Sequence, residues 1–328
     1  MPCWRYADQI LHVDLTAGAA WTVPTSLELK RDYVGGAGFV ARLLADAAAV
    51  RETAVVMATG PLSDETAGRL AVGAWPGRGL SSLGGRMAAA LKNVGYDALV
   101  ITGTLAQPGC LVLEPGDVRV VPADDLWGLD VPDAEAALLG RLGRGYAAMV
   151  LGPAAENGVP FATLAHDGHH AGGGGVGAAL GGRRLKALAV RDRTGMPSRC
   201  AGCTLACPSV SGADAGLAGA LGLDAPTAVR LATLARGCAE AGILPVLGEP
   251  LTEIAHRRGA GSLLAEGEAV AVQRLGPAAA RLARSLPRPK RRGGPGVADL
   301  LGTCQRIWQE RPGQVLREAL CSTLGLIS

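Results

Sequence analysis

Leu91-Lys-Asn-Val-Gly-Tyr-Asp-Ala-Leu-Val-Ile-Thr-Gly103 joins two patterns in one stretch. Its first residues close a run of good helix formers at helical spacing, Arg86 to Val94, and its last ones form a short β-rich run, Ala98 to Thr102. The alternation extends from Gln9 to about Val190. Further β-rich runs are Ile10 to Leu15, Ala54 to Ala58, Cys110 to Leu113, Val118 to Val121, Ala148 to Leu151 and Ala187 to Val190. Turn signals such as Pro115-Gly116-Asp117 and Gly152-Pro153 bound them, and Gly38 to Val50 adds a second helical run. This half is predicted to be α+β.

After Cys207 the pattern changes. Ala225 to Ala241, Pro250 to Arg258, Ser262 to Leu275, Pro277 to Leu286 and Val297 to about Leu324 carry apolar residues every three to four positions, with almost no β-branched runs. An all-helical region is predicted there, with the break near Arg191 to Arg199. The expected domains are 1–195 and 196–328, in keeping with the prior for a chain of 328 residues. No internal repeat is visible in the sequence.

The strongest pointer to chemistry is Arg199-Cys-Ala-Gly-Cys-Thr-Leu-Ala-Cys-Pro208. Cys200, Cys203 and Cys207 are spaced so that one short loop can wrap a metal centre. Thiolates select iron-sulfur clusters or zinc, and a 4Fe-4S cluster takes one sulfur per iron, so a fourth ligand must come from elsewhere. The other cysteines are Cys3, Cys110, Cys238, Cys304 and Cys321, the last two in the helical-looking tail. Cys321 is the first candidate and Cys304 the second; a non-cysteine ligand or an open iron is also chemically possible. The order C-x2-C-x3-C does not match the paired C-x2-C motifs of a zinc ribbon.

Composition narrows the function classes. The net charge of +3 is small, and the one basic run, Arg288-Pro-Lys-Arg-Arg292, reads as a solvated linker rather than a nucleic-acid surface. No uninterrupted apolar stretch reaches the roughly 18 residues of a membrane span. The start Met1-Pro-Cys-Trp-Arg5 lacks the order of a signal peptide, so a cytoplasmic location is expected. A reducing compartment keeps the eight cysteines free for metal. The glycine-rich segment Ala171-Gly-Gly-Gly-Gly-Val-Gly-Ala-Ala-Leu-Gly-Gly182 permits close backbone approach and could form an anion nest, with a plain flexible loop as the alternative. It is neither a P-loop nor a dinucleotide fingerprint.

Taken in order, several stretches resemble the aldehyde ferredoxin oxidoreductase family. They include Ile10-Leu-His-Val-Asp-Leu-Thr16, Val34-Gly-Gly-Ala-Gly38, Thr59-Gly-Pro-Leu62, Gly68-Arg69, Gly84-Gly85, Leu91 to Gly103, Leu151-Gly-Pro-Ala-Ala-Glu-Asn157, Asp167-Gly-His169 and Gly175-Val-Gly-Ala178. The triple-cysteine loop has the spacing of the family's cluster loop. The resemblance implies an N-terminal domain of two packed β-sheets forming a saddle for a tungsten or molybdenum bis-pterin, followed by helical domains, with a 4Fe-4S cluster alongside. It further implies that Arg69 lies by the pterin and cluster. Backbone groups near Ser82, Gly84 and Gly85, and near His170 and Ala171, would hold the pterin phosphates and a bridging magnesium. The implied activity is oxidation or reduction of an aldehyde or other carbonyl substrate, with electrons leaving for a ferredoxin.

The chain departs from the family pattern in several places. It is shorter than typical members, and the part it lacks is helical. The family's Gly-Arg-Gly-Gly is Gly172-Gly-Gly-Gly175, and His170 stands where the family has Arg, which makes His170 the candidate proton-handling residue. Two loops of the form Asp-x-x-Gly-Leu-Asp and Asp-x-x-Gly-Leu-Cys correspond to Ala239-Glu-Ala-Gly-Ile-Leu244 and Ser322-Thr-Leu-Gly-Leu-Ile327, so their acidic pterin anchors and the fourth cluster cysteine are absent. Each lost carboxylate removes charge-assisted hydrogen bonds of roughly 1.5 to 3 kcal/mol. Three readings follow: a compact oxidoreductase, a homologue without pterin acting in electron transfer or binding, and one half of a split enzyme. A trimmed helical region also exposes apolar surface for a homo- or hetero-oligomeric partner.

Overall fold

Three continuous apolar runs set the frame. β3 (Ala54–Ala58), β6 (Ala98–Thr102) and β9 (Tyr146–Leu151) are buried along their whole lengths, the mark of strands covered on both faces. The computed structural model describes residues 6–63, 68–77, 79–143, 145–192 and 212–288. Around these strands it forms two six-stranded sheets followed by helices, so the fold is α+β.

In the first sheet β1 (Gln9–Asp14) pairs antiparallel with the edge strand β2 (Ala19–Pro24) and parallel with β6. β6 then neighbours β3, and β4 (Leu70–Trp75) and β5 (Leu80–Leu83) follow, all antiparallel. In the second sheet β7 (Gly109–Glu114) pairs with the edge strand β8 (Asp117–Pro122) and runs parallel to β12 (Leu185–Arg191). β12 neighbours β9, and β10 (Leu164–His166) and β11 (His169–Ala171) complete the sheet.

These are one topology used twice. The first sheet has the order β2-β1-β6-β3-β4-β5 and the second β8-β7-β12-β9-β10-β11, with the single parallel pair at the same place in each. The sequence shows no repeat, but the fold does, and the two sheets approach each other through β5 and β11.

Helices cover the sheets. α1 (Leu27–Tyr33) and α2 (Gly36–Ala49) lie on the first, and Gly73 of β4 lets α2 come close: a Cβ there would meet Leu44 and Val40 at 2.8 Å. α3 (Met87–Asn93) packs against β9 and β12 of the second sheet. α4 (Val131–Leu142) is capped by Asp130, whose side chain accepts from the Asp133 N–H, with Pro132 in the first turn. Short helices α5 (Pro153–Glu156) and α6 (Val176–Gly181) follow, the latter after a 3-10 turn, Gly173–Gly175.

Among the described residues of the C-terminal part are α7 (Ala213–Ala220), α8 (Ala225–Glu240), α9 (Pro250–Ala255), α10 (Gly261–Leu264), α11 (Glu268–Leu275) and α12 (Pro277–Ser285). The helix expected over Ser262 to Leu275 is divided at Gly267, whose φ of +97° ends α10 and opens α11. One apolar core runs through the whole assembly. It joins Met57 and Leu99 of the first sheet, Leu111 and Met149 of the second, Leu231 of α8 and Ile254 of α9. The expected boundary at 195/196 and the tail from 289 lie outside the described residues. Among the described residues no helix is long and apolar enough to cross a membrane.

Candidate cofactor-binding site

The site forms where the edge strands of the two sheets meet. Arg69 immediately precedes β4, and since Leu70 is in register with Leu83 of β5 and Ala71 with Ser82, Ser82 lies on the diagonal from Arg69. Arg69 Nη2 donates to Ser82 Oγ. In the second sheet Thr163 immediately precedes β10, Leu164 is in register with Ala171 and Ala165 with His170, so His170 lies on the same diagonal from Thr163. Thr163 Oγ1 and His170 Nδ1 are 3.1 Å apart. The repeat therefore carries a polar pair at the same position in each half, Arg69 with Ser82 and Thr163 with His170. A glycine follows each pair, Gly84 after β5 and Gly172 after β11.

The hairpin β10–β11 brings the halves together. Its turn is Asp167-Gly168, both with positive φ (47° and 74°), the conformation that lets a two-residue loop follow the strand twist. His166 and His169 flank this turn in register with each other. Their rings lie over Gly84 and Gly85. A Cβ on Gly84 would meet the His169 ring at 3.2 Å, and one on Gly85 would lie 2.6 Å from His166 Cδ2. These two glycines are thus required by the imidazoles packed on them, which is a closer constraint than exposure of an amide to a phosphate.

His166 is a fully buried joint between the sheets. Its Nδ1 lies 2.5 Å from the Ala148 carbonyl of β9, so Nδ1–H donates, and Nε2 accepts from the Arg86 and Met87 N–H groups at 3.0 and 3.1 Å. His166, Asp167 and Glu135 lie close enough to suggest a cation group. Both imidazole nitrogens are already committed to the backbone, so the ring has no lone pair to give a metal. Arg86 instead links Asp167 (3.1 Å) and Asp192 (3.3 Å). Burial would raise the Asp167 carboxyl, but the adjoining His166 and the Arg86 guanidinium hold it well below the usual carboxylate range. Burial raises Glu135.

His169 and His170 both have lowered pKa values, in each case first because of burial. Arg69 adds to the effect at His169 and His169 adds to it at His170, outweighing Asp167 and Asp224. His170 Nε2 faces Gly219 of α7, where an added Cβ would lie 3.3 Å away. Ala171 is buried.

The glycine run after β11 lies along β5 and packs on a second glycine segment. A Cβ on Gly174 would fall 2.2 Å from the Gly79 carbonyl oxygen. This backbone-to-backbone contact accounts for the run in place of an open nest.

Cys110 and Cys238 lie buried in apolar clusters, and burial pushes the Cys110 thiol up to about 11 and raises Cys238. Neither suits a thiolate ligand. Cys200, Cys203, Cys207, Cys304 and Cys321 lie outside the described residues. The loop Ala239 to Leu244, where the family pattern has two acids, ends α8, and Ile243 and Leu244 pack against Leu234, Cys238, Ala279 and Ala283. Apolar contact there replaces charge.

The sequence reading named Arg69, Ser82, Gly84, Gly85, His170 and Ala171, and the fold gathers them at the β5–β11 junction. It missed Thr163, which only the repeat reveals, and Arg86 with Asp167 and Asp192, which no local pattern marks.

Known proteins resemble this chain in sequence and in fold. The family model for the aldehyde ferredoxin oxidoreductase N-terminal domain matches residues 10–192. The tungsten-containing aldehyde ferredoxin oxidoreductase of Pyrococcus abyssi is 34% identical over 201 residues, covering 57% of this chain and 33% of that protein. The protein of the same description from Thermococcus kodakarensis is 32% identical over 204 residues, covering 58% and 34%. An aliphatic sulfonate oxidoreductase, WOR-like subunit, from Pyrococcus furiosus is 26% identical over 231 residues, covering 59% and 36%. The matched part of the chain thus spans about a third of the length of these curated relatives. Among solved structures, the active site complex BamBC of benzoyl coenzyme A reductase superimposes with a TM-score of 0.74 at 20% identity, covering 85% of this chain and 65% of that one. At that identity the likeness concerns the fold.

Proposed function

The chain belongs to the aldehyde ferredoxin oxidoreductase N-terminal domain family, and from that premise we propose that it acts as an oxidoreductase on an aldehyde or other oxo group. In this reading it seats a tungsten or molybdenum bis-pterin at the β5–β11 junction, holds a 4Fe-4S cluster, passes electrons to a ferredoxin-type carrier and works in the cytoplasm. The observation that carries the proposal is the repeated polar pair. A duplicated scaffold offering Arg69 with Ser82 in one half and Thr163 with His170 in the other suits a ligand that is itself double.

The donor set fits the anionic end of such a group. A guanidinium, a serine and a threonine hydroxyl, and two imidazoles gather where pterin phosphates and their magnesium would sit, with the backbone of Gly84, Gly85 and Ala171 alongside. Cys200, Cys203 and Cys207, with Cys321 as the fourth thiolate, are the residues proposed for the cluster. When bound, the metal-pterin group supplies the two-electron exchange with the substrate. Oxidation of an aldehyde by water to a carboxylic acid releases two protons with the two electrons, so the site needs a base. Burial keeps the His170 imidazole uncharged near neutral pH, and Nε2 is the atom proposed to take up a proton when Nδ1 is held by Thr163.

A second reading has its own support. Apolar packing of Ile243 and Leu244 where the family places acids favours a homologue that keeps the cluster but no pterin. Metal content after anaerobic purification separates the two. Iron near four per chain with tungsten or molybdenum near one supports the oxidoreductase, on the stoichiometry of one cluster and one bis-pterin. Iron without the heavy metal supports the second reading, and zinc alone removes both. Cys203→Ser should abolish the brown cluster absorbance; an unchanged spectrum would mean the cluster is held elsewhere.

A further inference from the structure

A pocket of about 430 Å³ lies at the other end of the first sheet from Arg69. Arg69 stands at the Leu70 end of β4, whereas the pocket is lined by Trp75 at the far end of the same strand, by Thr53 before β3, by Thr104 after β6, and by Ala178 and Arg183 at α6. The length of β4 separates the two sites by roughly 17 Å. The pocket is therefore distinct from the Arg69–Ser82 pair.

Arg183 is the informative lining residue. It is 7% exposed, and only one arm of its guanidinium is engaged, Nη1 donating to the Ala179 carbonyl at 2.9 Å. Nε and Nη2 are buried with no hydrogen-bond partner. An arginine is charged in proteins, and two buried donors of a cation left without acceptors are costly. Burial lowers the Arg183 pKa, as expected for a cation with no counter-charge. Among the described residues no acidic one lines the pocket.

We propose that this pocket binds a small organic carboxylate, whose two oxygens are taken by Nε and Nη2 of Arg183 while its apolar body lies against Trp75 and Pro76. Three features select this chemistry. The two unpartnered atoms form the side-on edge of the guanidinium, whose parallel N–H bonds match the two oxygens of a carboxylate. Among the described residues Arg183 is the one lining cation, and a single positive charge balances a carboxylate rather than a phosphate dianion. Trp75 is 38% exposed and, with Pro76, Ala74 and Ala178, gives the remaining wall an apolar character. Nε and Nη2 are both buried, so the proposed contact requires a turn of the guanidinium about its terminal bonds.

The test uses the full chain with three probes, phenylacetate, the neutral phenylacetamide and phenyl phosphate, followed by calorimetry and by the ligand-induced rise in Tm. Phenylacetate should bind and raise Tm, with the amide and the phosphate at least about tenfold weaker. Arg183→Lys keeps the charge without the fork and should weaken phenylacetate about tenfold or more. Ala178→Leu fills the pocket without touching the guanidinium and should abolish binding, which keeps the test decisive if the lysine variant does not fold. Arg69→Gln, at the other end of the sheet, should leave phenylacetate affinity unchanged. Equal binding of the amide, tighter binding of the phosphate, affinity that survives Ala178→Leu, loss on Arg69→Gln, or no binding of phenylacetate at all would each overturn the proposal.

Discussion

Replacing His166 by leucine should destabilise the fold without altering its core volume greatly, and the size of the loss follows from the bonds the ring makes. The Met87 N–H, in the first turn of α3, donates to His166 Nε2 at 3.1 Å, and the side chain is fully buried, so removing the acceptor leaves a buried amide without a partner. That costs about 1–3 kcal/mol. The Arg86 N–H retains Asp167 Oδ2 at 3.3 Å, so it adds less. Loss of the bond to the Ala148 carbonyl adds about 1 kcal/mol. The sum, about 2–4 kcal/mol, is a large part of the 5–15 kcal/mol typical of a domain. His166→Gln is the control. Its amide oxygen can reach the place of Nε2 while the bond to Ala148 is lost, so it should cost about 1 kcal/mol. Urea denaturation of the three proteins, compared at equal m, reads the differences directly. A leucine variant within about 0.5 kcal/mol of the parent would show that the imidazole is not the joint between β9 and α3, since surface-like changes fall in that range.

Acid should weaken the protein through its histidines. His12, His169, His170 and His256 all have folded pKa values below the ordinary 6.5, so below that pH the unfolded chain binds protons that the folded chain refuses. Stability should be independent of these groups above 6.5 and fall as pH drops beneath it, seen as a lower urea midpoint at about pH 5.5 than at about pH 7.5, and His170→Gln should flatten the slope. Lys186→Met breaks a pair whose side chains are 0% and 4% exposed, leaving Glu156 with only the Gly128 N–H, and should cost about 3–5 kcal/mol. Adding Glu156→Gln should recover much of that loss in the same denaturation assay. Gly174→Ala and Gly175→Ala share a φ of 76° and its cost of about 1–2 kcal/mol, but only the former meets a carbonyl oxygen at 2.2 Å, so its Tm should fall further.

What could be read from the sequence tracks how unbroken each β-rich run is, so that even β8, with no buried residue, is legible from Val118 to Val121. Ala54–Ala58 and Ala98–Thr102 are covered on both faces and announce themselves as unbroken apolar runs. β2, exposed throughout, carries no such run, and β4 is diluted by Gly73, which α2 requires. β10 and β11 span three residues each and contain three histidines between them, too short and polar to register as strands. α4 carries an Asp130 cap and Pro132 in its first turn, but its short stretch of alanine and leucine is not distinctive by itself. The repeat has no sequence counterpart because its equivalent positions hold different chemistry. Arg69 answers to Thr163 and Ser82 to His170, while Leu70-Ala71 coincides with Leu164-Ala165 and Gly84-Gly85 with Gly172-Gly173.

The division of labour between sheets and helices bears on whether one substitution could restore a missing anchor. Arg69 and Ser82 are placed by the register of β4 with β5, whereas Thr163 and His170 also lean on the C-terminal part, the Thr163 N–H donating to the Gly222 carbonyl at 2.7 Å. The loop after α8 is different. Leu244 packs with Ile243 onto Cys238, Leu234, Ala279 and Ala283, holding α12 against α8. Leu244→Asp would return the family's residue type but set a carboxylate against that apolar seam, with no cation in the cluster to receive it. The apolar contact and the acidic anchor are therefore alternatives, and a gain of pterin affinity at this loop requires that α12 be repacked as well. If Leu244→Asp alone raised tungsten or molybdenum content with no loss of Tm, the packing argument for the second reading would fail, and the loop would have to be counted as part of the cofactor site.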